Sequence, residues 1–420
     1  MISVVDAQKL IDQHSAALAE KTVSLTQAHG CILREPIASP DDVPAFDRSA
    51  MDGYAVRVDD LATEFEVVGE IRAGQTEDRL IQPGQAIRIF TGARLPSDGL
   101  KVVMQEHVEA RDERIRITKS NAQSNVRKRG EDARAGEVLL EPGLALNAAA
   151  VALLASLGKA SIRVSRLPRV LHLTTGDEIV PPEQVPTPGQ IRNSNASMIA
   201  ALCREQGIEN VEHYHTGDNL ASMKEVLDYA PVAYYDLILI SGGSGGGDYD
   251  FSAELFAHLG ATIHFREVNV RPGKPLIFGT TVDEWSRRMA QDEDFLKGRY
   301  YSGHNQIIFG LPGNALSHFV CFHLFVRRAL DHLLARPVSA TVPGFLSEAM
   351  TETQNPRETW WPAQVRLDEG RLVCRALPWK SSGDITRLPA ANALIQVPAS
   401  TSHLPGGTMV NLLLTRNVFA

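Results

Sequence analysis

From Pro168 to about Leu334 the sequence alternates apolar runs of strand type with amphipathic stretches of helix type. The strand-type runs are RVLHLTT (169–175), DLILIS (236–241) and IIFG (307–310), and the helix-type stretches are NASMIAALCREQG (195–207), DFSAELFAHLG (250–260) and 315 to about 334. Strands that alternate with helices predict a parallel sheet covered on both faces. Ligands of such sheets bind beyond the carboxyl ends of the strands, so the pattern also predicts where a site should lie.

Other parts of the chain have a different texture. Ser3 and Asp6 form a capping pattern ahead of apolar residues at helical spacing, which predicts a first helix. Residues 64–118 consist of short β-rich runs separated by Gly and Pro turns, which predict a small β-barrel or sandwich. A helix over 148–157 is predicted to end at Gly158, and short strands return after residue 337. The chain is therefore predicted to be multidomain, α/β plus β.

The composition limits the functional classes. The 420 residues are 44% hydrophobic and 22% charged, as in an ordinary globular protein, and the formal net charge is -8. A general nucleic-acid-binding protein normally has a basic face, so nucleic acid is not an expected partner. No run is long and apolar enough to cross a membrane, the N-terminus lacks the pattern of a signal peptide, and the four cysteines lie far apart. These features predict a cytoplasmic protein in a reducing compartment.

Two loops follow strands where an α/β sheet places its site. TTGDEI runs from Thr174 to Ile179, and SGGSGGGDYD runs from Ser241 to Asp250. A glycine run lets the backbone approach a ligand closely and presents N–H groups to an anion, while carboxylates beside it could hold magnesium. An isolated glycine run is more often a plain turn, whereas two such loops in one α/β unit favour a site. A Walker loop is excluded because no Gly-Lys-Ser/Thr follows.

Two further motifs lie in the α/β region. NVRPGKP carries Arg271 and Lys274 on a Pro-Gly turn, which is either a solvated turn or a pair of cationic ligand-binding groups. LPGN predicts a type II turn at Pro312 and Gly313, with Asn314 placed to cap the helix that follows.

Three motifs and a histidine pair complete the set of candidates. FDRSAMDGYAV (46–56) includes Asp52, and IFTGARLP (89–96) places Thr91 at a strand end. NVRKRGED (125–132) ends in Asp132 and is either a solvated charged face or a set of phosphate-binding groups beside a metal-binding acid. His213 and His215 alternate along a predicted strand with no third ligand near in sequence, so they are predicted to be ordinary strand residues. The residues alone indicate an α/β enzyme or binding protein for an anionic, phosphorylated ligand.

Taken in order, these motifs resemble the MoeA family of molybdopterin molybdenumtransferases, whose animal counterpart is the E domain of gephyrin. The motifs are FDRSAMDGYAV, IFTGA, RKRGED, TTGDE, GQIRNSN, SGG…DYD, RPGKP, LPGN and SSGDITRLPAANALIQVP. Each is modest by itself, whereas the ordered set covers nearly the whole chain and is highly specific.

The resemblance implies an elongated homodimer with four domains in each chain. The domains would be a segmented N-terminal domain (1–45 and 139–167), an inserted β domain (46–138), a MogA-like α/β molybdopterin-binding domain (168–336) and a C-terminal β-barrel (337–420). In dimers of this kind the site lies between the α/β domain of one chain and the β domain of the other.

The resemblance also implies the site residues. The catalytic residues carry over to Asp52, Thr91, Asp132, Glu178, Asp218 and Asp250. Glu178 and Asp250 are the predicted magnesium ligands. The predicted pterin- and phosphate-binding residues are Ser241, Gly242, Gly243, Gly247, Asp248, Arg271, Lys274, Pro312, Gly313 and Asn314.

The implied reaction completes the molybdenum cofactor. Adenylylated molybdopterin and molybdate are the implied substrates, AMP is released, and Mg²⁺ polarises the phosphoanhydride. The dithiolene sulfurs of the pterin, rather than protein cysteines, receive the molybdenum. A MogA-like adenylyltransferase and apo-molybdoenzymes are implied partners. Two alternatives are adenylyl transfer onto the pterin, and a non-catalytic relative that binds pterin or nucleotide or acts as a scaffold.

The chain departs from the family pattern at several positions. Residues 244–246 (SGG) replace a segment that is usually Val-Ser-hydrophobic, and 315–316 (AL) stand where Pro-Val is usual. His318 occupies a normally small site, Arg271 stands where lysine is common, and 283–303 is an additional polar segment. The altered glycine loop favours the non-catalytic alternative, whereas the retained acids favour the enzyme.

Overall fold

A computed structural model describes residues 1–119, 123–230, 234–242, 251–281, 305–351 and 354–416. The chain separates into two compact units. The larger unit contains Met1–Arg34, Gly143–Asn147 and Ser161–Ala420, and the smaller contains Glu35–Pro142 and Ala148–Ala160. The additional segment 283–303 lies outside the described residues.

The secondary structure follows the alternation seen in the sequence. The helices are α1 (Val4–His14), α2 (Ala148–Ser156), α3 (Ser194–Glu205), α4 (Leu220–Tyr229), α5 (Ser252–His258), α6 (Ala315–Cys321) and α7 (Arg327–Leu333), with a π-helical turn at Phe322–Val326 and 3-10 turns at Leu25–Gln27, Gln105–His107 and Leu388–Ala390. The strands are β1 (Glu20–Ser24), β2 (Ile37–Ala38), β3 (Arg48–Ser49), β4 (Gly53–Arg57), β5 (Glu64–Ile71), β6 (Gln85–Ile89), β7 (Leu100–Met104), β8 (Val108–Arg111), β9 (Arg114–Ile117), β10 (Val126–Arg127), β11 (Val138–Leu140), β12 (Ser161–Ser165), β13 (Val170–Thr175), β14 (Ile179–Val180), β15 (Ile191–Arg192), β16 (Val211–Thr216), β17 (Leu237–Ser241), β18 (Ala261–Phe265), β19 (Val270–Arg271), β20 (Ile277–Thr281), β21 (Ile307–Leu311), β22 (Val342–Leu346), β23 (Glu358–Asp368), β24 (Arg371–Ala376), β25 (Ala393–Val397) and β26 (Met409–Leu414).

Several helices begin or end at capping residues or glycines that are visible in the sequence. Ser3 caps α1, because its Oγ accepts a hydrogen bond from the backbone N–H of Asp6 at 3.0 Å. Helices α2 and α3 stop just before Gly158 and Gly207, whose φ angles of +72° and +82° favour glycine. The capping pattern at α1 and the glycine stops of α2 and α3 are therefore confirmed.

A six-stranded mixed sheet organises the larger unit. Its order is β16-β13-β17-β21-β20-β18, and the pairings among the first four strands are parallel. The predicted parallel sheet is wrong at one edge, where β20 runs antiparallel to β21 and β18 antiparallel to β20. A parallel connection requires a crossover, usually helical, whereas residues 266–276, all of them described, lead from β18 to β20 without an α-helix.

Helices cover both faces of this sheet, as predicted. Successive residues of β17 point to opposite faces of the sheet, and every residue of the strand is buried. Leu239 packs in a core that includes Ile11 of α1, while Ile240 packs in another that includes Met223 of α4. Burial on both faces leaves the carboxyl ends of the strands as the edge open to a ligand.

A closed five-stranded barrel follows the sheet in the C-terminal part of the larger unit. The strands pair in the order β23-β24-β22-β26-β25, and β25 also pairs with β23 and closes the circle. The short strand β19, which contains Arg271, pairs with β23. The predicted C-terminal β-barrel is confirmed, and β19 joins it to the α/β part of the same unit.

The smaller unit is built on a second six-stranded sheet, in the order β7-β4-β6-β5-β9-β8. Neighbouring residues of β4 belong to different cores, Tyr54 and Val56 to one and Ala55 to the other. The β character of residues 64–118 is confirmed, but these strands form part of one open sheet in place of the predicted barrel or sandwich. None of the described helices of either unit is long and apolar enough to span a bilayer.

Candidate functional site

A cavity of about 640 Å³ opens in the larger unit where β13, β17 and β21 end. The predicted site residues that line it are Glu178, Asp218, Ser241, Gly242, Arg271, Lys274, Pro312, Gly313 and Asn314. Further lining residues include Thr174, Thr175, Asn193, Asn195, Ser317, Arg357, Trp379, Lys380, Ser381 and Ser382. The carboxyl ends of the strands thus meet a loop of the C-terminal barrel, and the cavity lies between them.

One part of the lining is strongly cationic. Arg271, Lys274, Arg357 and Lys380 all contribute to it. The Arg271 guanidinium carbon lies 4.9 Å from the ring centroid of Trp379, a cation–π contact. Burial lowers the pKa of Arg271, and the neighbouring positive charge of Arg357 lowers it further. The two guanidinium groups therefore repel each other, and an anion between them would relieve that repulsion.

Acids of the protein balance part of this positive charge, because Asp384 interacts electrostatically with Lys380 and a second cation is paired. Lys274 forms an ion pair with Glu267, with Nζ 3.0 Å from Oε1. Among the described residues, no carboxylate forms an ion pair with Arg271, Arg357 or Lys380. The lining contains four cationic side chains and two carboxylates, so the cavity presents an excess of positive charge to a ligand.

Two carboxylates, Glu178 and Asp218, also line the cavity. They lie on the loops that follow β13 and β16, and the two loops are tied together because Asp177 Oδ1 accepts a hydrogen bond from the Asp218 N–H at 3.1 Å. No group of three or more His, Cys, Asp or Glu side chains in the described ranges could hold a metal ion. The remaining predicted loop residues, Gly243, Gly247, Asp248 and Asp250, lie outside the described residues.

Gly242 brings the end of β17 against the end of β13. Its φ of +103° favours glycine, and a Cβ atom there would lie 2.5 Å from Thr175 Oγ1 and 2.8 Å from the Thr175 carbonyl oxygen. A side chain at this position would therefore force the two strand ends apart. Glycine is required here for the close approach of two protein strands, whereas the sequence predicts it for close approach to a ligand, which stays a prediction.

Histidines lie behind the cavity lining. His172, on β13, is fully buried and its Nε2 lies 2.6 Å from Ser241 Oγ. Burial lowers the pKa of His172 well below its ordinary value, and the nearby His318 and His213 lower it further. The ring is therefore neutral across the physiological range, and it contacts a lining hydroxyl group without being part of the lining itself.

Thr174 is held by an adjoining set of polar groups. Asn193 Nδ2 donates to Thr174 Oγ1 at 2.9 Å, and ring nitrogens of His213 and His215 lie 3.0 Å and 3.1 Å from the same oxygen. His213 and His215 thus have structural contacts along β16 that support their interpretation as strand residues. These bonds fix the orientation of a threonine that lines the cavity.

The LPGN corner differs from its prediction. Gly313 does not adopt the left-handed φ that a type II turn requires at this position. Asn314 occupies the N-cap position of α6, but its side chain makes no capping hydrogen bond. The backbone N–H groups of Leu316 and Ser317 donate instead to the Ser382 carbonyl oxygen, at 3.0 Å and 3.3 Å. A carbonyl group of the barrel loop thus replaces the expected cap and holds that loop at the cavity.

Sequence reasoning did not assign several lining residues. Ser381 and Ser382 belong to the SSGD motif and Asn195 belongs to GQIRNSN, and both motifs carry the family resemblance without predicting a role for these residues. Arg357 and Trp379 lie in segments with only a β texture, so the sequence offers no signal for them. Their place in the lining follows from the folding of the barrel beside the sheet.

Three predicted residues belong to the smaller unit. Asp52 accepts hydrogen bonds from both the N–H and the Oγ1 of Thr91, at 2.8 Å and 2.7 Å. These bonds lower the pKa of Asp52, the backbone bond most strongly. Asp52 and Thr91 are therefore brought together within this unit, with the carboxylate in its ionised form.

The basic run that contains Asp132 is balanced by acids of the same unit. Each of its three basic side chains forms an ion pair. The pairs are Arg127 with Asp132, Lys128 with Asp47 (2.6 Å) and Arg129 with Asp42 (2.7 Å). All three basic side chains are at least one-third exposed, so this arrangement favours the interpretation as a solvated charged face.

The sequence matches one protein family along most of its length. Residues 2–158 match the MoeA N-terminal region (domain I and II), residues 172–332 a probable molybdopterin binding domain, and residues 348–415 the MoeA C-terminal region (domain IV). A molybdopterin molybdenumtransferase of Staphylococcus epidermidis is 32% identical over 99% of this chain and 96% of the relative. One of Nostoc sp. is 36% identical over 93% of this chain and 88% of the relative.

Solved structures give the same assignment. A molybdopterin biosynthesis MoeA protein from Pyrococcus horikoshii superimposes with a TM-score of 0.79 at 27% identity, covering 99% of this chain and 100% of that chain. A second structure of such a protein from the same organism gives a TM-score of 0.74 at 26% identity. The cationic cavity, the three matched regions and the identity along the whole chain lead to one conclusion: the chain belongs to the MoeA family of molybdopterin molybdenumtransferases.

Proposed function

We propose that this chain completes molybdenum cofactor biosynthesis by inserting molybdenum from molybdate into adenylylated molybdopterin, with release of AMP. The observation that carries the proposal is the excess positive charge of Arg271, Arg357 and Lys380 in a cavity at the strand ends. Both substrates are anionic, molybdate as a dianion and the pterin nucleotide through its phosphates. A cavity of this charge suits them, and the family supplies the reaction.

The lining residues would divide the work of binding. Guanidinium groups suit bidentate contacts with tetrahedral oxyanions, so Arg271 and Arg357 would hold phosphate or molybdate oxygens. Lys274 and Lys380 would add mobile positive charge. The backbone of Gly242 lies at the start of the glycine loop and would approach the phosphates closely. These groups also stabilise negative charge that develops on the leaving AMP.

A magnesium ion fits the acids of this cavity. Magnesium is commonly held by one or two carboxylates together with substrate phosphates, and Glu178 and Asp218 supply two carboxylates. Asp250 was predicted from the sequence as the second ligand beside Glu178, and we retain it as a proposal. When bound, the ion would polarise the phosphoanhydride.

The proposal also includes the other site residues, the domain division and the partners that the family resemblance implies. Asp52, Thr91 and Asp132 would complete the site from the β domain of a partner chain in a homodimer. We also retain the four-domain division, the cytoplasmic location, and an adenylyltransferase and apo-molybdoenzymes as functional partners. The ordered Asp52–Thr91 pair supports a specific role for these two residues, because both donors of Thr91 converge on one carboxylate.

Reconstitution of a molybdoenzyme tests the function directly. The purified chain is incubated with adenylylated molybdopterin, molybdate and magnesium, and the products are added to an apo-molybdoenzyme whose activity is then measured. We expect activity with the wild type and a strong loss with Arg357→Met. Arg366→Met, on the exposed side of the barrel strand β23, is the matched control and should retain activity. Equal activity of the wild type and Arg357→Met would contradict the assignment of the cavity.

A further inference from the structure

We infer that His172 is a positioning residue that donates a hydrogen bond to Ser241 and thereby turns the Ser241 hydroxyl hydrogen into the cavity, toward an anionic oxygen of the ligand. The identity of that ligand rests on the proposed function. The hydrogen-bond geometry on which the inference is built does not.

His172 and Ser241 contact each other within the sheet. His172 lies on β13 opposite Leu239 of the neighbouring strand β17, two residues before Ser241, so the sheet places the His172 and Ser241 side chains diagonally on the same face. Nε2 of His172 lies 2.6 Å from Oγ of Ser241, and both residues are at least 97% buried, with exposures of 0% and 3%. Ser241 lines the cavity whereas His172 does not. The histidine can therefore act on a ligand only through the serine.

A backbone carbonyl group fixes the position of the proton on the neighbouring ring of His318. Nδ1 of His318 lies 3.2 Å from the Pro312 carbonyl oxygen, which can only accept a hydrogen bond. Nδ1 of His318 therefore carries its proton, and Nε2, which has no partner among the described residues, is a bare acceptor. His318 and His172 lie close, with ring centroids 5.9 Å apart, but neither of their unbonded nitrogens reaches the other.

The surroundings of Nδ1 determine which ring nitrogen of His172 carries the proton. Its Nδ1 is buried and has no hydrogen-bond partner in the described part of the chain. A buried N–H group without an acceptor is rarer and more costly than a buried acceptor without a donor. The neutral ring therefore carries its proton on Nε2 and donates it to Ser241 Oγ. The serine oxygen accepts that bond, so its own hydrogen is free to be donated elsewhere.

The position of Ser241 in the lining determines which group its hydroxyl hydrogen can meet. Ser241 is the last residue of β17 and lines the cationic cavity, and among the described residues its Oγ has no hydrogen-bond partner other than His172, so a ligand in the cavity is the partner that we assign to the hydroxyl group. A hydroxyl donor among guanidinium and ammonium groups suits an oxygen of a phosphate or of molybdate. His172 would thus keep Ser241 as a donor before the ligand arrives, which reduces the ordering needed on binding.

Nuclear magnetic resonance of protein labelled with ¹⁵N-histidine tests the assignment without any ligand. The His172 signal, identified by its loss in His172→Gln, should show a proton on Nε2 and a bare Nδ1. A proton on Nδ1 would overturn the inference, whatever the protein catalyses.

Binding of AMP, a component of the proposed substrate, tests the consequence by calorimetry. Loss of a hydrogen bond to a charged oxygen should weaken binding about tenfold in His172→Met and in Ser241→Ala. The double variant should be no weaker than either single variant, and His172→Gln, which keeps an N–H donor, should recover most of the affinity. Additive losses in the double variant would contradict the inference.

A matched control separates positioning from a general effect of burying a different side chain. His264 Nε2 also lies near a hydroxyl oxygen, Thr280 Oγ1 at 2.8 Å, but neither residue lines the cavity. His264→Met should leave AMP binding unchanged. If the wild type does not bind AMP at all, the proposed function fails at this site, while the position of the proton on His172 still decides the inference.

Discussion

Gly242 holds the end of β17 against the end of β13, and replacing this single residue tests that contact. Gly242→Ala must place a Cβ atom 2.5 Å from Thr175 Oγ1 and adopt a φ of +103°, so we expect a loss of about 3 kcal/mol in the free energy of unfolding and weaker AMP binding. Gly207→Ala meets the same kind of φ, +82°, with nothing within 4 Å, so it should lose only about 1 kcal/mol of that free energy. Urea unfolding compares the two variants. Equal losses would show that the close contact of the strand ends is unimportant.

Single residues decide whether this cavity can bind its ligand, and the sequence identifies only some of them. Arg271 and Lys274 are predicted because a Pro-Gly turn places two cations in a short segment. Arg357 and Trp379 are not, because each enters the lining only when the barrel folds beside the sheet. Local sequence patterns thus reveal residues on turns at strand ends, whereas residues supplied by distant strands are identified only in the folded structure.

Helices and strands were predicted well where a local signal marks their ends. The cap of α1 and the glycine stops of α2 and α3 are examples. The antiparallel edge of the large sheet was missed because pairing direction depends on the connection and not on strand composition. The cap of α6 was missed because its partner, the Ser382 carbonyl, comes from another part of the chain.

The N-cap residue of helix α3, Asn193, also contacts another residue of the cavity lining. Asn193 Oδ1 accepts from the Ala196 N–H, while its Nδ2 donates to Thr174 in the cavity lining. Asn193→Ala should therefore lower the free energy of unfolding by about 1 kcal/mol through loss of the cap. Loss of the hydrogen bond to Thr174 should lower it by about 1 kcal/mol more. AMP binding should weaken as well, because Thr174 loses one of the groups that orient it.

Asn219 provides the matched control for this prediction. It caps α4 by accepting from the Ala221 N–H at 2.8 Å, and it does not line the cavity. In Asn219→Ala the free energy of unfolding should fall by only about 1 kcal/mol, and AMP binding should be unchanged. Thermal unfolding and calorimetry on both variants give the comparison. If the two substitutions changed AMP binding equally, Asn193 would have no specific role in orienting Thr174 for the ligand.

At the scale of the whole molecule, buried histidines make stability depend on pH. Burial lowers the pKa of His318 and of His264 to about 4 and that of His323 to about 3, from an ordinary value of 6.5. The unfolded chain takes up protons below about pH 6.5 while the folded chain does not. Stability is therefore fully present above that pH and is lost as the pH falls toward 3 to 4.

His323 isolates this effect. Neither ring nitrogen has a partner in the described structure, and the ring packs against Phe319 and Phe322, so leucine should replace it without loss at pH 8. Between pH 8 and pH 5 the free energy of unfolding of the wild type should fall by about 2 kcal/mol because of His323 alone. His323→Leu should not show this part of the loss. Urea unfolding at both pH values measures the difference. If both proteins lose the same free energy between pH 8 and 5, His323 does not resist protonation in the fold.

We propose that the cationic cavity carries out molybdenum insertion coupled to the release of AMP. The most direct measurement is the amount of AMP released from adenylylated molybdopterin by the purified chain with magnesium, in the presence and absence of molybdate. We predict release that depends on molybdate, with one molybdenum bound to the pterin for each AMP, and a strong reduction in Glu178→Gln. Tight binding of the nucleotide without AMP release, or release that ignores molybdate, would contradict the account and leave a binding protein on the fold of an enzyme.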